Sequence, residues 1–155
     1  WIDNDYVQFY NNPCNLANIG NQWNFDYSSW DKLTKGNPNP NSKMYVGLPA
    51  GSGAAGNGYL DLGTVKADLA QLYSSYPSTF GGIMLWDASW YSNNKAYVQE
   101  LSSWFSFHHH TPSNLICTIH RNNHYLNDND IEINIDIDDY DTNNNINASH
   151  MFYGQ

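Results

Sequence analysis

The chain has 155 residues, which suits one domain, with 41% hydrophobic content and an unusually high 15% aromatic content. Its formal net charge of −9 argues against a nucleic-acid partner, because phosphate binding needs clustered Lys and Arg. No apolar run approaches the roughly 18–20 residues needed to cross a bilayer, and two cysteines, Cys14 and Cys117, cannot define a disulfide framework.

The chain opens on Trp1 rather than Met, and we read that residue as a cut point. A first strand is predicted over 6–10, where a short apolar/polar run stops in a polar turn. A weak helix over 27–34 would bury Trp30 and Leu33. The next strand, over 43–48, is a nearly continuous apolar run, as expected for a parallel strand buried on both faces. Val65, Leu69, Leu72 and Tyr76 are spaced 4, 3 and 4, one apolar helix stripe. Thr64 is its expected N-cap and Pro77 its stop. A third strand is predicted over 82–86. A last helix follows, capped by Asn93 or Asn94, with Tyr97, Leu101 and Trp104 as its buried stripe. This β-α-β-α-β-α order predicts an α/β fold with a parallel sheet and right-handed crossovers.

Composition breaks near residue 105. Every Trp lies at or before Trp104 and every His at or after His108. Residues 1–105 carry five lysines against eight acids, a net −3, while 106–155 carry Arg121 against seven acids, a net −6. Such a break marks a domain or linker boundary. The Asn/Asp/Ile-rich tail, 106–155, has little core-forming potential. Within it Ile131, Ile133, Ile135 and Ile137 alternate with polar residues, so the tail is either poorly packed or one strand with an acidic face. His108, His109, His110, His120 and His124 suggest adventitious metal affinity, since no H-E-x-x-H is present. Asp128-x-Asp130-x-Glu132 lacks the Gly and terminal Glu of an EF-hand loop. Asn147-Ala148-Ser149 is a glycosylation sequon. No metal site and no cofactor is expected.

Gln8 and Tyr10 share one strand face, because side chains alternate. Burying them is costly unless they are hydrogen-bonded. They either bond to each other or to water, or they line a site. Asn11 and Asn12 alone read as turn residues. Trp86 ends the third strand, with Met84 on the same face. Its ring either floors a sugar subsite or is a core Trp with its N–H bonded. Asp87 is a helix-capping or loop acid. Gly51-Ser52-Gly53-Ala54-Ala55-Gly56 matches G-x-G-x-x-G after a strand. Dinucleotide binding, however, needs the helix to open directly and an acid about 20 residues on. Here Pro49 intervenes, the helix starts near Thr64, and Asp87 lies 31 residues past Gly56.

Three segments in order resemble the small family 18 chitinases of fungi and plants. They are Val7-Gln8-Phe9-Tyr10-Asn11-Asn12-Pro13-Cys14, Tyr45-Val46-Gly47-Leu48-Pro49-Ala50 and Gly81-Gly82-Ile83-Met84-Leu85-Trp86-Asp87. The Gly-rich loop with Tyr59 is similar to that family's PA-x-x-x-AAG-x-GY loop at the substrate rim. The resemblance covers roughly residues 1–105. It implies a partial TIM (β/α)8 barrel of about the last three β/α units, followed by a non-homologous tail. It also implies a secreted or cell-wall protein that takes chitin or chitooligosaccharide.

In that family the substrate's own acetamide oxygen attacks the anomeric carbon, while a Glu protonates the leaving oxygen. The resemblance gives Tyr10 the contact to the acetamide oxygen in the intermediate. It gives Gln8 and Asn11 polar contacts in the same subsite, and Trp86 the ring beneath the central sugar. Cys14 matches a half-cystine. The acids of that chemistry come from a D-x-x-D-x-D-x-E strand, which occurs nowhere in this sequence; within 1–105 the only Glu is Glu100. Two functions are therefore expected. One is a chitinase portion that hydrolyses β-1,4 bonds only with that strand supplied. The other is an inactive carbohydrate-binding remnant, or one that self-associates through the two open sheet edges of three β/α units. Nucleotide binding through the Gly-rich loop is a third reading, for which no affinity is expected.

Overall fold

A computed structural model describes residues 2–21 and 23–108. Strand β1, Asn4–Gln8, leads through an irregular segment with one 3-10 turn at Leu16–Asn18 into helix α1, Tyr27–Lys35. Strand β2, Lys43–Pro49, is followed by helix α2, Leu62–Ser75, and strand β3, Phe80–Trp86. Helices α3, Ala88–Asn93, and α4, Lys95–His108, complete the described residues. The strands form one parallel sheet in the order β1-β2-β3. The fold is thus mixed α/β with a small parallel sheet, as the alternating pattern predicted. The tail and its histidines beyond His108, with the alternating-Ile segment, lie outside the described residues.

One sheet face carries the core. Val7, Val46, Leu48, Ile83 and Leu85 are buried there with Val65, Leu69 and Leu72 of α2 and Val98, Leu101 and Phe105 of α4. Each large aliphatic side chain removed from water contributes about 1.5–3 kcal/mol, so this layer anchors all three strands. The opposite face is less covered. Gln8 aligns with Gly47 and Met84, and Pro49 with Trp86, so their side chains share that second face. Met84 and Trp86 are half-buried and Gln8 is exposed. A Cβ at Gly47 would come within 2.9 Å of the Met84 methyl.

Several boundaries differ from expectation. β1 is shifted two residues toward the N-terminus, because the chain turns away at Asn11, whose amide and carboxamide bond the loop after β2. α2 is capped by Asp61 rather than Thr64: Asp61 Oδ1 accepts from Thr64 N at 3.1 Å, and Thr64 Oγ1 donates to Oδ2 at 2.7 Å. Asp61 sits three residues before the amide it serves, the geometry of an N-cap. The helix stops before Pro77, with Tyr76 as its C-cap. The single helix expected after β3 is two. Asp87 caps α3, accepting from Ser89 N at 3.0 Å and Trp90 N at 3.2 Å. Asn93 is the last residue of α3, and Asn94 directly precedes α4. The carboxamide Nδ2 of Asn94 donates to Ala50 O at 3.0 Å.

α1 uses the expected stripe only in part, for Trp30 packs half-buried against the core. Leu33 is 62% exposed, while Tyr27, Asp31 and Thr34 are buried. The burial of Asp31 is tolerated because both carboxylate oxygens are bonded. Oδ1 accepts from Thr79 Oγ1, and Oδ2 accepts from Lys35 Nζ at 2.8 Å. Thr34 Oγ1 donates to Asp5 Oδ2 at 3.3 Å. Polar pairs to the residue before β3 and to β1 thus seat α1 beside Trp30, in place of the expected Leu33.

Candidate functional site

The C-terminal ends of the three strands lie side by side, and the chemistry-bearing residues gather there. Tyr10 follows β1, the Gly-rich 51–58 loop follows β2, and Trp86 and Asp87 close β3. Tyr10 is buried, only 4% exposed. Its phenol is pushed up to about 12, first by burial and then by the negative charge of Asp87. At neutral pH it is therefore a neutral phenol, near enough to the residue that follows Trp86 to feel its charge. The Trp86–Asp87 peptide is cis. Asp87 acts as the helix-capping acid the sequence allowed.

Gln8 is not buried against the Tyr10 hydroxyl. Its Nε2 donates to the Tyr10 carbonyl at 2.9 Å. Asn12 Nδ2 donates to the carbonyls of Gln8 and Tyr10, both at 3.0 Å. Lys43 N donates to Asp3 O and Phe9 N to Gly47 O, so odd-numbered residues of β1 face β2 and even-numbered ones face the outer edge. The Gln8 and Asn12 side chains therefore blunt that edge at its C-terminal end.

A cleft of about 340 Å³ runs along the same edge, lined by residues including Asp5, Tyr6, Gln8, Cys14, Asp26 and Trp30. It takes in Gln8 but not Tyr10, Asn11 or Trp86. Cys14 is a free thiol among the described residues. It donates to Asp26 Oδ1 at 2.6 Å, and burial with that carboxylate pushes it up to about 11. It is thus a poor nucleophile.

Asn11 has φ 58°, the left-handed region, which Asn tolerates. Its Oδ1 accepts from Gly56 N at 2.7 Å and Asn57 N at 3.2 Å, and its own N–H donates to Asn57 O at 3.2 Å. Gly51 and Gly53 lie against the Trp90 ring, and Gly58, at φ 93°, lies against Tyr10. These contacts account for the spacing of the glycines without a phosphate.

Sequence reasoning missed Trp90 and Gly58. A φ above zero has no local signature beyond the glycine itself, and a ring 39 positions from Gly51 has none at all. Glu100 stands away from the strand ends, on α4, paired with Lys66 of α2 at 2.7 Å. Among the described residues no cluster of three or more His, Cys, Asp or Glu could hold a metal ion. No helix there is long and apolar enough to cross a membrane.

Comparison with known proteins gives a consistent set of relatives. The chain is 45% identical over 98 residues to endochitinase A of Emericella nidulans, an alignment covering 61% of this chain and 10% of that protein. It is 42% identical over 105 residues to endochitinase 33 of Trichoderma harzianum, covering 65% and 31%. It is 42% identical over 96 residues to a class III chitinase of Arthroderma benhamiae, covering 57% and 28%. The chain thus spans between a tenth and about a third of the length of these relatives. No protein-family model matches it. Among solved structures, a xylanase and alpha-amylase inhibitor protein from Scadoxus multiflorus aligns at 31% identity with a TM-score of 0.47. That alignment covers 64% of this chain and 35% of the inhibitor.

Proposed function

We infer, for a chain that is part of a family 18 chitinase over about three fifths of its length, that the strand ends form a binding shelf for N-acetylglucosamine oligomers. Tyr10 donates its hydroxyl to the substrate's acetamide oxygen, Gln8 supplies a polar contact, and Trp86 stacks beneath a sugar ring. The observation that carries this reading is Tyr10: a buried phenol just past the end of β1, near enough to Asp87 to feel its charge. A preplaced donor orients the acetamide oxygen toward the anomeric carbon, to which that oxygen gives an electron pair as the leaving group departs. In this reading β1, β2 and β3 are three strands of a (β/α)8 barrel, and their C-terminal ends are the face where such barrels build sites. The protein acts outside the cell or in its wall. Hydrolysis of β-1,4 bonds requires the D-x-x-D-x-D-x-E acids, because loss of the general acid removes the proton transfer itself.

The test is calorimetric titration of the 155-residue chain with chitooligosaccharides, beside Trp86→Ala and Tyr10→Phe. Binding by the parent that both substitutions weaken at least about tenfold supports the shelf. Equal binding by all three chains overturns it, as does no binding by the parent. Hydrolysis by this chain alone would overturn the assignment of the acid to the D-x-x-D-x-D-x-E segment. One observation favours a second reading. β1 and β3 are outer strands among the described residues, and unpaired edges invite self-association. A native mass above one chain, lost when a charge is placed on β1, supports it; a monomer refutes it.

A further inference from the structure

The Gly-rich loop is clipped at three places, two of them by α3 and its C-cap. Asn94, before α4, holds its base through the Ala50 carbonyl. Trp90 of α3 packs against Gly51 and Gly53. Asn11 holds the tip through Gly56 and Asn57. Beyond the tip, Gly58 seats the chain directly on the Tyr10 backbone and Cβ. The Asn11 contact is therefore the one that keeps the loop tip registered over the Tyr10 strand end.

We propose that Asn11 is a positioning residue: it latches the 51–58 loop across Tyr10 and affects the sugar only through that loop. This rests on the binding shelf proposed above but differs from a direct sugar contact by Asn11. The distinction is chemical. A carboxamide oxygen has two lone pairs, and two loop amides occupy them. The latch needs that acceptor. A sugar contact would need the Nδ2 donors instead.

Two substitutions separate the roles in the full 155-residue chain. Asn11→Gly removes the carboxamide while keeping φ 58° free of strain. Asn11→Asp keeps an oxygen that can accept from both loop amides and tolerates that φ, but loses every side-chain donor. The readouts are amide hydrogen exchange at Gly56 and Asn57 and titration with chitooligosaccharides. Two lost hydrogen bonds predict exchange at those amides about 10- to 100-fold faster in Asn11→Gly, with weaker binding. Asn11→Asp is expected to keep both protection and binding within about threefold of the parent. Unchanged protection in Asn11→Gly overturns the latch. Protection retained with binding lost in Asn11→Asp overturns it in favour of direct contact. If the parent binds no chitooligosaccharide, the shelf fails while the exchange comparison still decides the latch.

Discussion

Replacing the loop glycines one at a time with alanine separates a packing role from a phosphate-binding role. A Cβ at Gly58 would sit 2.7 Å from Tyr10 Cβ and 2.8 Å from Tyr10 Cα, where backbone leaves nothing to yield. Its φ of 93° adds about 1–3 kcal/mol for a residue with a side chain. Overpacking adds about 1–3 kcal/mol more, so Gly58→Ala should cost about 2–5 kcal/mol. At Gly56 the nearest atom to a new Cβ is Asn11 Oδ1 at 3.4 Å, and the N–H bond survives. Gly56→Ala should therefore cost less than about 1 kcal/mol, the level of ordinary surface changes. Gly51 and Gly53 fall between, because the Trp90 ring in their way can tilt. Urea unfolding followed by tryptophan fluorescence gives the ranking, and amide exchange over 51–60 shows whether a loss is local or global. A fingerprint built for a dinucleotide would make Gly51, Gly53 and Gly56 the sensitive trio and leave Gly58 indifferent. Gly56→Ala costing as much as Gly58→Ala would refute the packing account.

The same reasoning reaches other positions. Asp31→Ala should cost about 2–4 kcal/mol, since it deletes a charged acceptor and orphans the buried Thr79 hydroxyl. Adding Thr79→Val should recover part of that, and strict additivity in the double-mutant cycle would refute the coupling. Tyr10 should ionise near 12 rather than 10. The fold favours the neutral phenol, so this stabilisation is whole below about pH 10 and is lost as pH rises through about 12. Asp87→Asn should lower that value only part way, because burial is the larger cause. Tyrosine ring-carbon NMR reads it, and a Tyr10 titrating near 10 contradicts the buried-donor assignment. Asp61→Ala should fray the first turn of α2, with faster exchange at Thr64, whereas Asp61→Asn should not. Equal exchange in both variants would remove Asp61 as the cap.

What the sequence disclosed depended on how local the cause was. β2 and β3 were legible because strands packed under helices carry nearly continuous apolar runs. The α2 stripe of Val65, Leu69 and Leu72 was legible because spacing alone encodes it. α1 was legible as a helix, but of its buried face only Trp30 was. Asp31 and Thr34 are buried only because Thr79 and Asp5, 48 and 29 positions away in sequence, reach them. No window around residue 31 contains that information. The cap of α2 was in the sequence, in Asp61 three residues before Thr64, but two candidate caps so close together are resolved only by which oxygen meets which amide.

The segment Tyr10-Asn11-Asn12 shows why the site is only half readable from its residue types. As a tripeptide it is a polar turn after a strand. In the structure its three side chains have three separate tasks. The Tyr10 phenol is buried within reach of the Asp87 charge. Asn11 turns into the left-handed region and spends its oxygen on the loop after β2. Asn12 returns to cover the carbonyls of Gln8 and Tyr10 at the sheet edge. Each task has a different partner element, so a substitution at one should not mimic another. Asn12→Ala should uncover two edge carbonyls without releasing Gly56 or Asn57, and Asn11→Gly should do the reverse. Parallel exchange profiles for the two variants would mean that the turn acts as one structural unit, and the division of labour argued from these hydrogen bonds would fail.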